Sequence, residues 1–304
     1  TRPLKKGATY VTHMSAGRIS NLRRVLQAWR DPTSGDPGPV VVVFFAPSAN
    51  DTQAIIDHVQ SDLLHPQQLA YTIYSNPSGD LRYYPINILR NIGLAHVQTE
   101  LCVLADGDMV PDHHLYAYLT SDKYTGFVEQ SRTTALVLPV FFLNRNEETG
   151  EVPPVPTNKG ALLRAMSKGE IKAPLDHPRR PHHFLTDYNR WQGDDRDYFI
   201  RYRFWYEPYT ILNPRWMPFF DQRFIYYGFD KVTFAWALHC RGFRFQVLAE
   251  HFLVHYPHER DTSWQKEEDG TAAWKAEQLL KLVDAFFSEM PSSPWGWRSD
   301  WAAT

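Results

Sequence analysis

The first third of the chain switches repeatedly between two hydrophobic periods, and this alternation restricts the fold more than any other feature. Ala8 to Thr12 reads as a strand, and Ser20 to Trp29 places Leu22, Val25, Leu26 and Trp29 on one helical face. Pro39 to Phe45 is a second strand. A helix should begin near the cap residues Asn50 and Asp51 and run through Ile55, Ile56 and Val59 to Leu64. Ala70 to Tyr74 reads as a third strand, Ile86 to Val97 as a third helix, and Glu100 to Ala105 as a fourth strand. The resulting βαβαβαβ order predicts an α/β protein with a mainly parallel sheet flanked by helices. Ligands of such sheets collect at the carboxyl ends of strands, so chemistry is expected just after Ala105.

The second half is less regular. Ala135 to Leu143 reads as one strand, Asn144 to Thr157 as a polar connection, and Lys159 to Met166 as a helix. Ala173 to His183 carries Pro174, Pro178 and Pro181 and reads as a loop. Gly228 to Cys240 should be helical, Arg244 to Leu248 and Phe252 to His255 strands, and Thr271 to Glu289 a terminal helix. No composition break marks a linker and no repeat is visible, so residues 1–304 read as a single two-lobed domain.

Composition narrows the function classes. At 43% hydrophobic and 22% charged residues, the chain has enough apolar material for a packed core. Its 32 basic and 34 acidic side chains give a formal charge of -2, which provides no broad basic field, so no nucleic-acid partner is expected. The interrupted apolar run Val40 to Pro47 is far short of the ~20 residues that span a bilayer, so no membrane anchor is expected within this chain. A start at Thr1-Arg2-Pro3 fits a chain from which an anchor was trimmed. Cys102 and Cys240 read as buried free thiols. Aromatic residues make up 14% of the chain and crowd between Tyr188 and Phe252, enough for a large core and for sugar-facing ring surfaces.

Leu101 to Ala105, followed by Asp106-Gly107-Asp108, is an apolar strand that delivers two carboxylates around a glycine. Three readings compete: a turn with solvated aspartates, a metal-diphosphate site of a nucleotide-sugar transferase, and the nucleophile strand of a haloacid-dehalogenase-type phosphatase. The phosphatase would need a downstream G-D-x-x-x-D, but Tyr198 stands where its second acid belongs. It would also have its nucleophile near the start, whereas three strand-helix units come first. His255, ending an apolar strand, could complete a metal shell or be structural.

Several short segments then match one family in order. They are Tyr84-Pro-Ile-Asn-Ile-Leu-Arg-Asn91, Leu104-Ala-Asp-Gly-Asp-Met-Val-Pro111, Val137-Leu-Pro139, Asn158-Lys159, Thr186-Asp-Tyr-Asn-Arg-Trp191, Tyr206-Glu-Pro-Tyr209, Phe220-Asp-Gln-Arg-Phe224, Tyr227-Gly-Phe229 and Phe252-Leu-Val-His255. On these residues the chain resembles glycosyltransferase family 49. The resemblance implies a GT-A fold, with a nucleotide-binding half over 1–140 and an acceptor and catalytic half over 141–304. It further implies a UDP-sugar donor, a glycan or glycoconjugate acceptor, Mn²⁺ or Mg²⁺ dependence, inversion at the anomeric carbon, and residence in the Golgi lumen.

Carried over by position, Asp106 and Asp108 belong to the metal-diphosphate site around Gly107, with His255 as third ligand. Thr12, His13, Arg90, Asn91 and Lys159 face the nucleotide or donor; Trp191, Tyr206 and Tyr227 face the acceptor. Arg90 and Asn91 could equally serve a helix cap or an ion pair. Inversion requires a base for the acceptor hydroxyl, and Asp221 and Asp230 are the carboxylates in place, Asp230 preferred on position. Asp221 could instead pair with Arg223, and Asp230 could cap a helix. Glucuronic acid is the favoured donor sugar, with Arg179, Arg180, Arg201 and Arg203 available for its carboxylate. N-acetylglucosamine, glucose and xylose are the alternatives. A catalytically silent carbohydrate-binding relative is the reading from another class.

Overall fold

The computed structural model describes residues 3–62, 68–76, 84–174, 182–225, 228–258 and 271–289. The alternating first third forms β1 (Lys5–Ser15), α1 (Ile19–Ala28), β2 (Val40–Ala46), α2 (Ala49–Asp62), β3 (Leu69–Ser75), α3 (Ile86–Ala95) and β4 (Thr99–Leu104). Each lies within a few residues of its expected span. β1 pairs in parallel with β2 and β4, and β2 with β3. Every residue of β2 is buried, as is β1 from Ala8 to Met14, because helices cover both faces of a parallel sheet. Tyr10, Val42 and Phe44 pack on one face with Leu22 and Trp29, while Val11 and Val41 pack on the other with Leu94.

The rest of the chain contributes β5 (Met109–Pro111), α4 (Leu115–Thr120), α5 (Tyr124–Gln130), β6 (Thr134–Leu138), β7 (Val140–Leu143), α6 (Lys159–Ser167), β8 (Ile171–Lys172), α7 (Tyr188–Gly193) and β9 (Tyr198–Ile200). After these come β10 (Tyr209–Leu212), α8 (Asp230–Cys240), β11 (Arg244–Val247), β12 (Leu253–His255) and α9 (Thr271–Glu289). Among the described residues, eight strands form one sheet in the order β3, β2, β1, β4, β10, β6, β11, β9. β10 runs antiparallel between β4 and β6, so the parallel character belongs chiefly to the first half. A second sheet has the order β5, β12, β7, β8.

The single strand expected over Ala135 to Leu143 is two strands in different sheets. Pro139 stands between them: it has no N–H to continue a ladder, and its carbonyl instead accepts from Leu253 N at 2.8 Å. α8 starts at Asp230 rather than Gly228, because Phe229 takes a left-handed φ of 60° at the cap. On α9, Val283 and Phe286 are buried against Phe224 and Trp236. Cys102 is buried and Cys240 half-buried, both free. No helix among the described residues is long and apolar enough to cross a membrane. The loop expected over Ala173 to His183 falls mostly outside the described residues, Arg179 and Arg180 included.

Candidate active site

The chain leaves the large sheet at the end of β4 and enters the small one at β5, and Asp106-Gly107-Asp108 is the joint. Gly107 lies hard against the end of β1: an added Cβ would sit 2.6 Å from His13 O and 2.8 Å from Met14 Cβ. The glycine is therefore required for close approach. Met109 N donates to Asp106 O at 3.0 Å and closes the turn.

Asp106 is held by fixed cations. Its Oδ1 accepts from Arg90 Nη2 at 2.8 Å and lies 3.4 Å from His13 Nε2; its Oδ2 accepts from Tyr209 Oη at 2.8 Å and Lys231 Nζ at 3.0 Å. Burial alone would raise the Asp106 carboxyl, but the Lys231 and Arg90 charges outweigh it and hold the group well below the usual carboxylate range. Burial likewise opposes charge on Lys231, and Asp106 outweighs it, so the ammonium stays charged. Burial lowers the His13 imidazole despite its contact with Asp106. With both oxygens engaged, Asp106 is not presented as a phosphatase nucleophile.

Arg90 reaches this group because α3 carries a polar stripe. Asn87, Arg90 and Asn91, spaced three and four apart, are all buried on one side of an otherwise apolar helix. Arg90 Nη1 donates to Asn87 Oδ1 at 3.0 Å and to Asp230 Oδ2 at 2.5 Å, bridging the Asp106 loop to the start of α8.

Asp108 faces imidazoles. Its Oδ2 lies 3.1 Å from His258 Nε2, 3.4 Å from His255 Nε2 and 3.3 Å from Arg18 Nη1. Burial would raise this carboxyl; contacts with His255 and His258 more than reverse that, and it sits below its ordinary value. The ladder between β5 and β12 creates the arrangement: His255 pairs with Met109, and Tyr256 N donates to Asp108 O at 2.9 Å. One ligand atom each from Asp108, His255 and His258 falls within 4.8 Å of the others. Asp108 Oδ1 is buried without a hydrogen-bond partner among the described residues. An orphaned carboxylate oxygen beside two imidazoles fits a divalent cation. Charge agrees: among the described residues, Arg18, Arg90 and Lys231 meet Asp106, Asp108, Asp230 and Glu207, one carboxylate in excess, so a divalent ion would leave these groups attractive to a diphosphate.

Of the other expected residues, Thr12 and His13 line a cavity of about 20 Å³ with Arg90, Asp106, Tyr209 and Lys231. The Asn91 amide donates to Phe220 O and accepts from Phe220 N, at 2.8 and 2.9 Å, bracketing the segment after β10 beside this cavity. Lys159 donates to Asp194 O and lies over the Trp191 ring, its Nζ 3.7 Å from Glu250, contacts that tie it to α7 and not to the Asp106 loop. Trp191 and Tyr206 are fully buried, bonded to Leu248 O and Thr186 Oγ1, and so are core side chains rather than walls open to an acceptor. Tyr227 lies outside the described residues. Asp221 is clasped by Arg223, which also holds Glu289. Asp230 is almost fully buried against Arg90.

Sequence reasoning missed His258, Lys231, Tyr209, Arg18 and Glu207. The spacing His255-Tyr-Pro-His258 carried the signal for the first; the cations offered none, since their role depends on which strand ends converge.

A family profile described as glycosyl-transferase for dystroglycan matches residues 64–288, about three quarters of the chain. The chain belongs to glycosyltransferase family 49. Among curated relatives of this family 49 chain, the mouse xylosyl- and glucuronyltransferase LARGE2 is 30% identical over 258 residues, covering 84% of the chain and 35% of the relative. The glycosyltransferase-like protein gnt14 of Dictyostelium discoideum is 28% identical over 84% of the chain and 38% of its own length. The chain thus spans about a third of the length of these relatives. Solved structures overlay more loosely. GalNAc-T7 with UDP, GalNAc and Mn2+ covers 85% of the chain and 45% of its own at 11% identity and a TM-score of 0.49. S. aureus TarS 1-349 in complex with UDP-GlcNAc covers 86% and 61% at 12% identity and a TM-score of 0.44.

Proposed function

We propose that this family 49 glycosyltransferase moves a sugar from a UDP-sugar to a glycan or glycoconjugate with inversion, using a divalent cation held by Asp108, His255 and His258. The observation that carries the reading is the convergence of those three ligand atoms two positions beyond the cation-clamped Asp106, just past the carboxyl end of β4. Two imidazoles beside one carboxylate suit Mn²⁺ better than Mg²⁺, which prefers oxygen ligands. The ion would supply Lewis acidity toward the leaving diphosphate. Arg18 and Lys231 add fixed positive charge beside it, and Arg90 keeps the Asp106 loop in place. Gly107 lets that loop approach β1 closely enough for His13 and Thr12 to border the same space.

Glucuronic acid is the favoured donor sugar, supported by relatives named xylosyl- and glucuronyltransferases and by exposed Arg201 and Arg203. Residence in the Golgi lumen belongs to the same family-based reading. The test is UDP release from UDP-glucuronic acid, UDP-xylose, UDP-N-acetylglucosamine and UDP-glucose, each with EDTA and after Mn²⁺ is restored. The expected result is turnover of at least one donor that EDTA abolishes and Mn²⁺ recovers. Absence of metal-dependent UDP release with every donor would reject the reading, and a silent carbohydrate-binding protein would take its place.

A further inference from the structure

Inversion needs a carboxylate that can take a proton from the acceptor, and the two expected ones are committed elsewhere. Asp230 gives Oδ2 to Arg90 and Oδ1 to Gly228 N, with its side chain only 4% exposed. Both Asp221 oxygens accept from the Arg223 guanidinium. A third carboxylate lies one side chain away from Asp106. Glu207 Oε2 is 4.0 Å from Lys231 Nζ, which itself donates to Asp106 Oδ2, and the Glu207 side chain is 14% exposed.

Its backbone is fixed on both sides. Tyr206 is anchored in the core through Thr186, Glu207 N donates to His182 O at 2.9 Å, and Tyr209 Oη reaches Asp106. Its other oxygen, Oε1, lies 3.0 Å from His182 Nδ1. Beside it the backbone is strained. Trp205 has a φ of 76° and Phe229 a φ of 60°, conformations rare for bulky side chains, and their rings pack 5.0 Å apart at half-buried positions. Two such residues in contact, one adjoining Glu207 within two positions and the other adjoining Asp230, show a rim whose shape is imposed by its surroundings.

Resting on the UDP-sugar transferase reading above, we infer that Glu207 is the general base and that the acceptor sugar lies against the Trp205 ring. The acceptor hydroxyl proton passes to Glu207 Oε2 as the hydroxyl oxygen bonds to the anomeric carbon. The bond from that carbon to the diphosphate oxygen breaks, its electron pair leaves on UDP, and Glu207 returns the proton to solvent. Lys231 places Glu207 relative to Asp106, and the His182 ring lies beside its other oxygen.

The test is Glu207→Gln in the full chain, assayed with the donor that the panel identifies. The expected result is a kcat lower by about 10²- to 10⁴-fold, with donor KM and the affinities for UDP and Mn²⁺ unchanged. Azide, an anionic acceptor that needs no base, should be glycosylated by wild type and variant at similar rates. Trp205→Ala should raise acceptor KM while leaving donor KM alone. Should the Gln variant lose its circular-dichroism spectrum, Glu207→Asp carries the expectation, with kcat down about tenfold or more because the carboxylate is drawn back. Wild-type turnover with an unimpaired Glu207→Gln overturns the assignment alone; no wild-type turnover with any UDP-sugar rejects the transferase reading and this inference with it.

Discussion

Asp106 and Asp108 stand one residue apart but belong to different neighbourhoods. Asp106 closes the large sheet, where α3, β10 and α8 send Arg90, Tyr209 and Lys231 to saturate it. Asp108 opens the small sheet, where β12 and the segment after it bring two imidazoles and leave one oxygen unpartnered among the described residues. Identical side chains therefore stand in different surroundings: the first is braced by fixed cations and a phenol, the second faces imidazoles with one oxygen unpartnered among the described residues. The contrast comes from which sheet each flank enters, not from the motif.

The contrast predicts unequal damage. Asp108→Ala or His258→Ala should cost the most, weakening Mn²⁺ by about 10²-fold or more and lowering turnover with it, as isothermal titration and UDP release would show. If His258→Ala left Mn²⁺ affinity intact, the three-ligand reading would be wrong. Gly107→Ala should come next, because its methyl group must displace the His13 carbonyl; a shift of about 1 Å in the loop costs about 10²-fold in kcat/KM while the fold survives. Arg90→Met should act on stability first, by about 3–5 kcal/mol in urea unfolding, since it strands the buried Asp230 and half-strands Asp106. Adding Asp230→Asn should recover part of that loss.

The mildest effect at any one pH is a pH slope. Burial, with Lys231 and His182 nearby, lowers His183 to about 3 from an ordinary 6.5. In that window the unfolded chain binds the proton and the folded chain does not, so stability is full above pH 6.5 and falls toward pH 3. The slope is at most about 1.4 kcal/mol per pH unit. His183→Asn should flatten it, read from urea midpoints between about pH 6.5 and 4. An unchanged slope would mean that the imidazole is not shielded on the cationic side.

The same contrast explains what the sequence revealed. β1 to β4 and their helices were legible because each is long enough to show its period, and a parallel sheet buried on both faces reads as unbroken apolar runs. The small sheet was legible only in part. Its β12 was legible as the apolar run ending at His255, and β7 as the end of the run from Ala135, but β5 and β8 have three residues or fewer, too few for alternation to register, and in the large sheet β10 lies in an aromatic stretch where period and bulk are confounded. Asp106 and Asp108 stood out as a pair, but their separate duties depend on side chains 90 to 150 positions distant, such as Arg18, Lys231 and His258. Trp191 and Tyr206 misled for a simpler reason: a ring suited to a sugar is also suited to a core, and only burial decides.

Two covalent crossings, at Asp106 to Asp108 and again at Pro139, stitch the sheets together within one or a few residues. Neither layer can slide past its neighbour without tearing ladder bonds at both stitches. Parting Asp108 from His255, which the pairing of β5 with β12 holds together, would thus demand wide unfolding, and the amides of Met109 and Val254 should exchange with solvent as slowly as those of the deepest strands.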